Sequence, residues 1–237
     1  MKKSIIFIAV LALLTLGFTA CEKESEGKTR ITYYAELTLK GDATMIVEKG
    51  TEFKDPGCTA IMKGEDVSDQ IKIASDVDTS TSGVYSVNYS IVNEDGFVAT
   101  ATRSVIVLNT SSAIEGFYTS DPASYNVNNN SGAITPYGGE FDVLVIDNED
   151  GTCFVDDLLA GWYAQRRGNG PDFAMQGKVA VDADGKITLI SSHVAYWNDG
   201  LDSMEDGQFD AATKTITYKV TYAGFLDFFI TLNKVEL

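Results

Sequence analysis

The chain has 237 residues, carries 34 Asp and Glu against 18 Lys and Arg, and holds a formal charge of −16. So acidic a chain repels phosphate backbones and anionic headgroups, which excludes nucleic acid as a partner class, since that binding draws on clustered Lys and Arg. One histidine and three cysteines also leave little material for a transition-metal centre or a disulfide framework.

At the N-terminus, Lys2 and Lys3 precede an apolar run from Ile5 to Leu16. It is too short to span a bilayer as a mature helix and suits a signal-peptide core. The run ends in Leu16-Gly17-Phe18-Thr19-Ala20-Cys21, where small residues precede a cysteine whose thiol can take up diacylglycerol. This resembles a lipobox, with Phe18 standing where Leu is commoner; the alternative is an ordinary secretory leader cleaved near Ala20. Residues 1–20 therefore read as a signal peptide and Cys21 as the lipidation site. Cleavage would remove two lysines and no acid, taking the mature charge to about −18, so the lipid alone would supply membrane attachment. Residues 21–33, beginning Cys21-Glu22-Lys23-Glu24-Ser25-Glu26-Gly27, are polar and aperiodic and read as a flexible tether. An acidic stretch directly after the lipidated cysteine resembles the surface-export signal of Bacteroidetes lipoproteins, which implies the outer face of the outer membrane. A plain solvated spacer is the other reading.

Beyond the tether, period-two alternation recurs and no segment shows apolar residues at i, i+3, i+4 and i+7, so the fold class is all-β. In Tyr85-Ser86-Val87-Asn88-Tyr89-Ser90-Ile91 the apolar and aromatic residues fall on one face and the polar ones on the other. A turn at Asn93-Glu94-Asp95-Gly96 leads into Phe97 to Leu108, completing a hairpin. Arg103 lies in phase with Phe97, Ala99, Ala101, Val105 and Val107, which calls for a bulge or a guanidinium that snorkels out. Residues 34–109 form the first domain. Gly41-Asp42-Ala43-Thr44, Val47 to Gly57, Thr79-Ser80-Thr81-Ser82-Gly83-Val84-Tyr85 and Asp95-Gly96 with Arg103-Ser104-Val105 resemble the bacterial surface-protein Ig-like domain. The resemblance implies an Ig-like β-sandwich that spaces or adheres, with no catalytic residues. Cys58 stands where that family usually has alanine, which implies a small buried side chain. With Cys153 in the other domain, an interdomain disulfide is one option and two buried thiols the other.

Residues 110–113 read as a linker, and 114–237 as a second domain. Asp-Gly steps at Asp150-Gly151, Asp184-Gly185, Asp199-Gly200 and Asp206-Gly207 punctuate it, and such pairs favour turns with φ > 0. Ile216, Tyr218, Val220 and Tyr222 alternate with polar residues, Ala223-Gly224 turns, and Leu226, Phe228, Ile230 and Leu232 return. Roughly eight strands in about 120 residues suit an antiparallel β-barrel, lipocalin-like, or a two-sheet sandwich. Glu115-Gly116-Phe117-Tyr118, Asp156-Asp157-Leu158-Leu159-Ala160-Gly161-Trp162-Tyr163 and the Gly177 to Ile187 hairpin before Tyr196-Trp197 resemble the C-terminal domain of two-domain lipoproteins encoded in Bacteroidetes polysaccharide-utilisation clusters. That resemblance implies a setting rather than a mechanism.

Two aromatic segments stand out in this half. Trp162 and Tyr163 adjoin Arg166 and Arg167 in a glycine-rich loop, and Tyr196-Trp197 precedes Asn198-Asp199-Gly200. Flat aromatic faces stack on sugar rings while Asn, Asp and Arg hydrogen-bond hydroxyls, so Trp162, Tyr163, Arg166, Arg167, Tyr196, Trp197 and Asp199 form a candidate carbohydrate site. The same aromatics would serve equally as barrel core, and the arginines as solvated partners of acids such as Asp172.

Asp182-Ala183-Asp184-Gly185 opens like a calcium loop but lacks the bidentate Glu and remaining ligands, so turn chemistry is the simpler reading; no cofactor is expected, with bound calcium the alternative. His193, the only histidine, sits in Ser191-Ser192-His193-Val194 with no nucleophile elbow nearby. Acids are so abundant that a pair at glycosidase spacing would arise by chance. The function expected is a non-catalytic, surface-exposed, outer-membrane lipoprotein that binds or presents glycan as an accessory to polysaccharide uptake. A structural component docking onto an outer-membrane transporter complex or adhesin is the alternative, and a small hydrolase the third.

Overall fold

The computed structural model describes residues 31–236; the leader, Cys21 and most of the tether lie outside them. In the N-terminal domain β1 (Glu36–Leu39), β3 (Cys58–Met62) and β4 (Glu65–Asp66) form one sheet. The facing sheet runs β2 (Thr44–Glu48), β7 (Val98–Leu108), β6 (Gly83–Val92), β5 (Lys72–Ser75), with β2 parallel to β7. Alternate residues Val87, Tyr89, Val105 and Val107 point between the sheets with Val47 and Cys58, the arrangement expected of an Ig-like sandwich.

Arg103 corrects both expectations made for it. The β6–β7 ladder runs through Val87↔Arg103 without a register shift, and the side chain, far from snorkelling, is fully buried. Its Nε meets Asp55 Oδ1 at 3.1 Å, Nη2 donates to the carbonyls of Lys40 (2.7 Å) and Gly57 (3.1 Å), and Nη1 donates to that of Asp42. Tyr89 Oη donates to both carboxylate oxygens of Asp55, at 2.5 and 2.6 Å. The guanidinium thus gathers three loop carbonyls and one carboxylate, the condition under which a buried charge is tolerated.

The C-terminal domain is a closed antiparallel barrel of eight strands: β8 (Gly116–Ser120), β11 (Asp142–Asp147), β12 (Thr152–Val155), β13 (Met175–Val181), β14 (Lys186–Val194), β15 (Ser203–Asp210), β16 (Thr215–Tyr222) and β17 (Leu226–Lys234). Closure comes from β17 pairing β8 at Leu232↔Ser120 to Lys234↔Tyr118. A hairpin of β9 (Tyr125–Asn128) and β10 (Ala133–Pro136) extends the sheet along the start of β17. The turn at Ala223-Gly224, with φ of 56° and 73°, joins β16 to β17, as the alternation on either side requires. The interior is filled: Tyr118, Val143, Met175, Val220, Phe228 and Leu232 are among its buried side chains, and the enclosed void lined by Val145, Leu158 and Tyr218 amounts to about 10 Å³. The ligand cavity that a lipocalin-like barrel would imply is therefore replaced by packed core.

The two domains share a third apolar cluster. Ile106 and Leu108, on the outer face of β7, pack against Leu144 and Ile146, on the outer face of β11, with Phe117 and Phe154 alongside. Around it, Glu115 is buried and accepts from the N–H of Asn109 (2.8 Å) and Asp147 (3.2 Å). Lys49 Nζ meets Glu149 Oε1 at 2.5 Å across the junction. Within the linker, Ser112 Oγ donates to Asp147 Oδ2 at 2.8 Å, so the connection is fastened at both ends.

Candidate functional site

The turns that meet the Ig-like domain sit at one end of the barrel; a cluster of aromatic rings occupies the other. It is built on the connection from β12 to β13. Asp157, itself buried, accepts from the N–H of Leu159 (2.9 Å), Gly161 (3.0 Å) and Met175 (3.1 Å), tying both ends of the loop to one carboxylate. Ala160 and Gly161 then take φ of 49° and 78°. At Gly161 a Cβ would lie 2.4 Å from Cβ of Phe141, so the sharp reversal needs glycine. A single π-helical turn, Trp162–Arg166, follows, with the N–H of Arg166 donating to the carbonyl of Gly161 at 2.8 Å; such turns are rare and recur at functional sites.

This turn splits the predicted residues into two sets. Trp162 points inward, is 1% exposed, and packs against Tyr137 (centroids 4.9 Å apart) and edge-on to Phe228 (5.6 Å). Arg166 lies over that indole at 4.3 Å and donates through Nε to the carbonyl of Tyr137 at 2.8 Å and through Nη2 to that of Pro136 at 3.1 Å. Both are thus spent on fastening β10 to the barrel, and the direct sugar contact expected of Trp162 gives way to core packing. Among the described residues neither Arg166 nor Arg167 forms an ion pair, Asp172 included.

Outward, the structure brings the remaining residues together. Trp197 is 38% exposed and Tyr196 63%. Tyr163 meets Trp197 edge-on at 4.9 Å, Phe173 stacks on Tyr196 at 4.1 Å and stands edge-on to Trp197 at 5.0 Å, and Tyr222 lies 6.1 Å from Trp197. Arg167, exposed, rests over the Tyr163 ring at 5.5 Å. Asp199 accepts from Tyr222 Oη at 3.1 and 3.2 Å through its two oxygens, and its carbonyl receives the N–H of Val194 at 2.9 Å, closing the turn that carries Trp197. Burial, then the bond to Asp199, holds the Tyr222 phenol well above its ordinary range. Phe173 and Tyr222 escaped the sequence reading. Tyr222 sits on the inward phase of β16 and looked like core, and Phe173 is 24 residues before Trp197, brought near by the bond from Tyr196 N–H to the carbonyl of Asp172 at 3.0 Å.

The arrangement presents exposed aromatic rings edged with polar groups. Burial pushes Asp156 up to about 7 and Asp157 up to about 6, but Asp157 caps its loop and Asp156 accepts from the N–H of Leu144 at 2.8 Å. His193 is exposed on β14, across from Gln176. Asp182 accepts from the N–H of Asp184 (3.0 Å) and Lys186 (2.9 Å), an ordinary turn. No group of three His, Cys, Asp or Glu able to hold a metal occurs among the described residues. Cys58 and Cys153 are both free and buried, and burial pushes the Cys153 thiol up to about 12.

Comparison with known proteins matches each half separately and the whole together. A family model for the bacterial surface protein Ig-like domain covers residues 37–107, and a model for a C-terminal domain covers residues 107–234. A crystal structure of the lipoprotein BT2262 from Bacteroides thetaiotaomicron is 37% identical, with a TM-score of 0.71, covering 85% of this chain and 100% of that one. The CBM51-2 and INT domains of Clostridium perfringens ZmpB align at 16% identity and a TM-score of 0.26, over 50% of this chain and 31% of that one in the complex with GlcNAc; that alignment carries no weight for the fold. No curated protein sequence matches the chain.

Proposed function

This chain belongs to the family of the Bacteroides thetaiotaomicron lipoprotein BT2262, and from that premise we propose that it is a non-catalytic cell-envelope lipoprotein that binds glycan on the aromatic end of its barrel. The observation that carries the reading is the pair Tyr196 and Trp197, exposed to solvent yet locked against Phe173, Tyr163 and Tyr222. A rigid apolar face costs little entropy when a sugar ring stacks on it, and Asp199, Asn198 and Arg167 at its edge supply hydroxyl partners. The filled barrel leaves any ligand to the outer surface. Lipidation of Cys21, outer-membrane placement with surface exposure, and service to polysaccharide uptake complete the proposal, and the mature charge favours neutral over anionic glycans.

Titration of the soluble chain from Glu22 with a panel of neutral polysaccharides tests it. Binding should be lost in Trp197→Ala and Tyr196→Ala with the fold intact, while Trp162→Phe changes stability and leaves affinity alone. An empty panel withdraws the glycan reading. The packed interior and buried Trp162 favour one rival, a component that docks on an outer-membrane transporter complex, which would instead co-purify with a protein partner.

A further inference from the structure

The end of the Ig-like domain farthest from the barrel is unusually apolar for a solvated surface. Here β1 begins and β6 turns into β7, and Ile31, Tyr33, Tyr34, Val92, Phe97 and Val98 are all exposed. They form one rim: Tyr34 and Phe97 rings lie 5.5 Å apart, Val92 pairs with Val98 across the hairpin, and Lys63 Nζ sits 5.2 Å above the Tyr33 ring. The rim is held in place, since Asn93 Nδ2 donates to the carbonyl of Tyr33 at 2.7 Å and its Oδ1 accepts the N–H of Phe97 at 2.8 Å. Exposed apolar surface of this kind marks a contact, and aromatic rings with a polar edge favour the boundary between hydrocarbon and water.

We propose that this rim rests in the headgroup layer of the membrane to which Cys21 anchors the chain, so that the Ig-like domain stands on the bilayer. The inference rests on the reading of Cys21 as lipidated. Only nine residues lie between Cys21 and Ile31, and the ten steps of chain reach at most ~35 Å when fully extended. The described chain starts within the rim itself, so the lipid attaches nearest this end of the molecule; a weak contact there is then favoured by high local concentration. Glu65, Asp66, Glu94 and Asp95 flank the rim beside Lys63, so a zwitterionic headgroup suits it better than an anionic one. The β6 and β7 strands run from the rim to the barrel junction, which puts the aromatic site of Trp197 at the far end, facing away from the membrane.

The test uses the full lipidated chain reconstituted in phosphatidylcholine vesicles with brominated acyl chains, with Phe97→Trp and, separately, Tyr34→Trp. Trp162 and Trp197 serve as internal references. Emission from the added tryptophan should shift to the blue and be lost to bromine, while the wild type and an Ile134→Trp control on β10 keep theirs. Vesicles that float with the protein but leave the added tryptophans unquenched overturn the contact and spare the anchor. Protein that does not float overturns both, and quenching of the wild type overturns the orientation.

Discussion

Arg103 shows what single residues decide in this molecule. Its fork satisfies the carbonyls of Lys40, Asp42 and Gly57 together with Asp55, so truncation leaves three acceptors without their donor and the partly solvated Asp55 carboxylate without its cation. Arg103→Ala should lower unfolding free energy by about 2–3 kcal/mol, the cost of losing charge-assisted bonds to three carbonyls and of the cavity left behind. Arg103→Lys should recover only part of it, because an ammonium cannot reproduce the planar fork. Urea unfolding of the three proteins measures this, and a loss below about 1 kcal/mol for the alanine variant would show the network to be dispensable. In the sequence, Arg103 was visible as a charge out of place on an apolar phase. What it pairs with was not, because Asp55 lies 48 residues away and nothing local couples the two. Trp162 and Trp197 were equally ambiguous: one residue type serves core and surface alike, and only the π-helical turn at Trp162 and the turn after β14 at Trp197 decide which way each faces.

At the scale of elements, the loop from Asp156 to Ala174 depends on carboxyls that prefer to be neutral. Burial raises Asp157 to about 6 and Asp156 to about 7, above ordinary unfolded values near 3.9. Between those limits the folded state binds more protons than the unfolded one, so their contribution to stability falls as pH rises from about 4 to about 7 and is level above that. The stability difference between the wild type and Asp157→Asn should therefore shrink, or reverse, by on the order of 2–3 kcal/mol from pH 4.5 to pH 7.5. Denaturant midpoints at several pH values read it out, and a difference that stays constant or grows would contradict the assignment. Strands were the most legible elements, since alternation around Tyr89 and Tyr218 fixes both which segments extend and which face is inside. The β9–β10 hairpin was less so: Tyr125–Asn128 and Ala133–Pro136 are short, polar and carry a proline at the edge.

On the scale of the whole molecule, two four-residue runs explain why the domains form one body. Val105 to Leu108 and Val143 to Ile146 are apolar on both faces, which a one-sided sheet does not require. Each strand gives one face to its own core and the other to its neighbour. Leu144→Asp places a charge in that shared cluster, and in calorimetry the single transition expected of the wild type should split into two. A single transition retained by the variant would mean the domains hold together without it. The runs were present in the sequence as uninterrupted apolar stretches, but period-two reading assigns them to a core without saying which. Barrel filling was beyond reach for a related reason: alternation says which side chains turn inward, and their summed volume against the barrel's radius decides whether they meet.

The Leu108–Leu144 contact also has a mechanical meaning. A chain with a loose linker would let its barrel sample every direction, whereas a body joined through a packed seam and fastened by Lys49 and Glu149 turns as a lever. With ten residues in β6 and nine in β17, each domain is ~30 Å long at 3.3 Å per residue. A tilt of ~10° at the base already sweeps a point one domain length away through ~5 Å, about the spacing of two neighbouring strands. If the Ig-like end is the foot on the membrane, as proposed, its motion carries Trp197 along, and stiffening the seam narrows that excursion without touching a single ring.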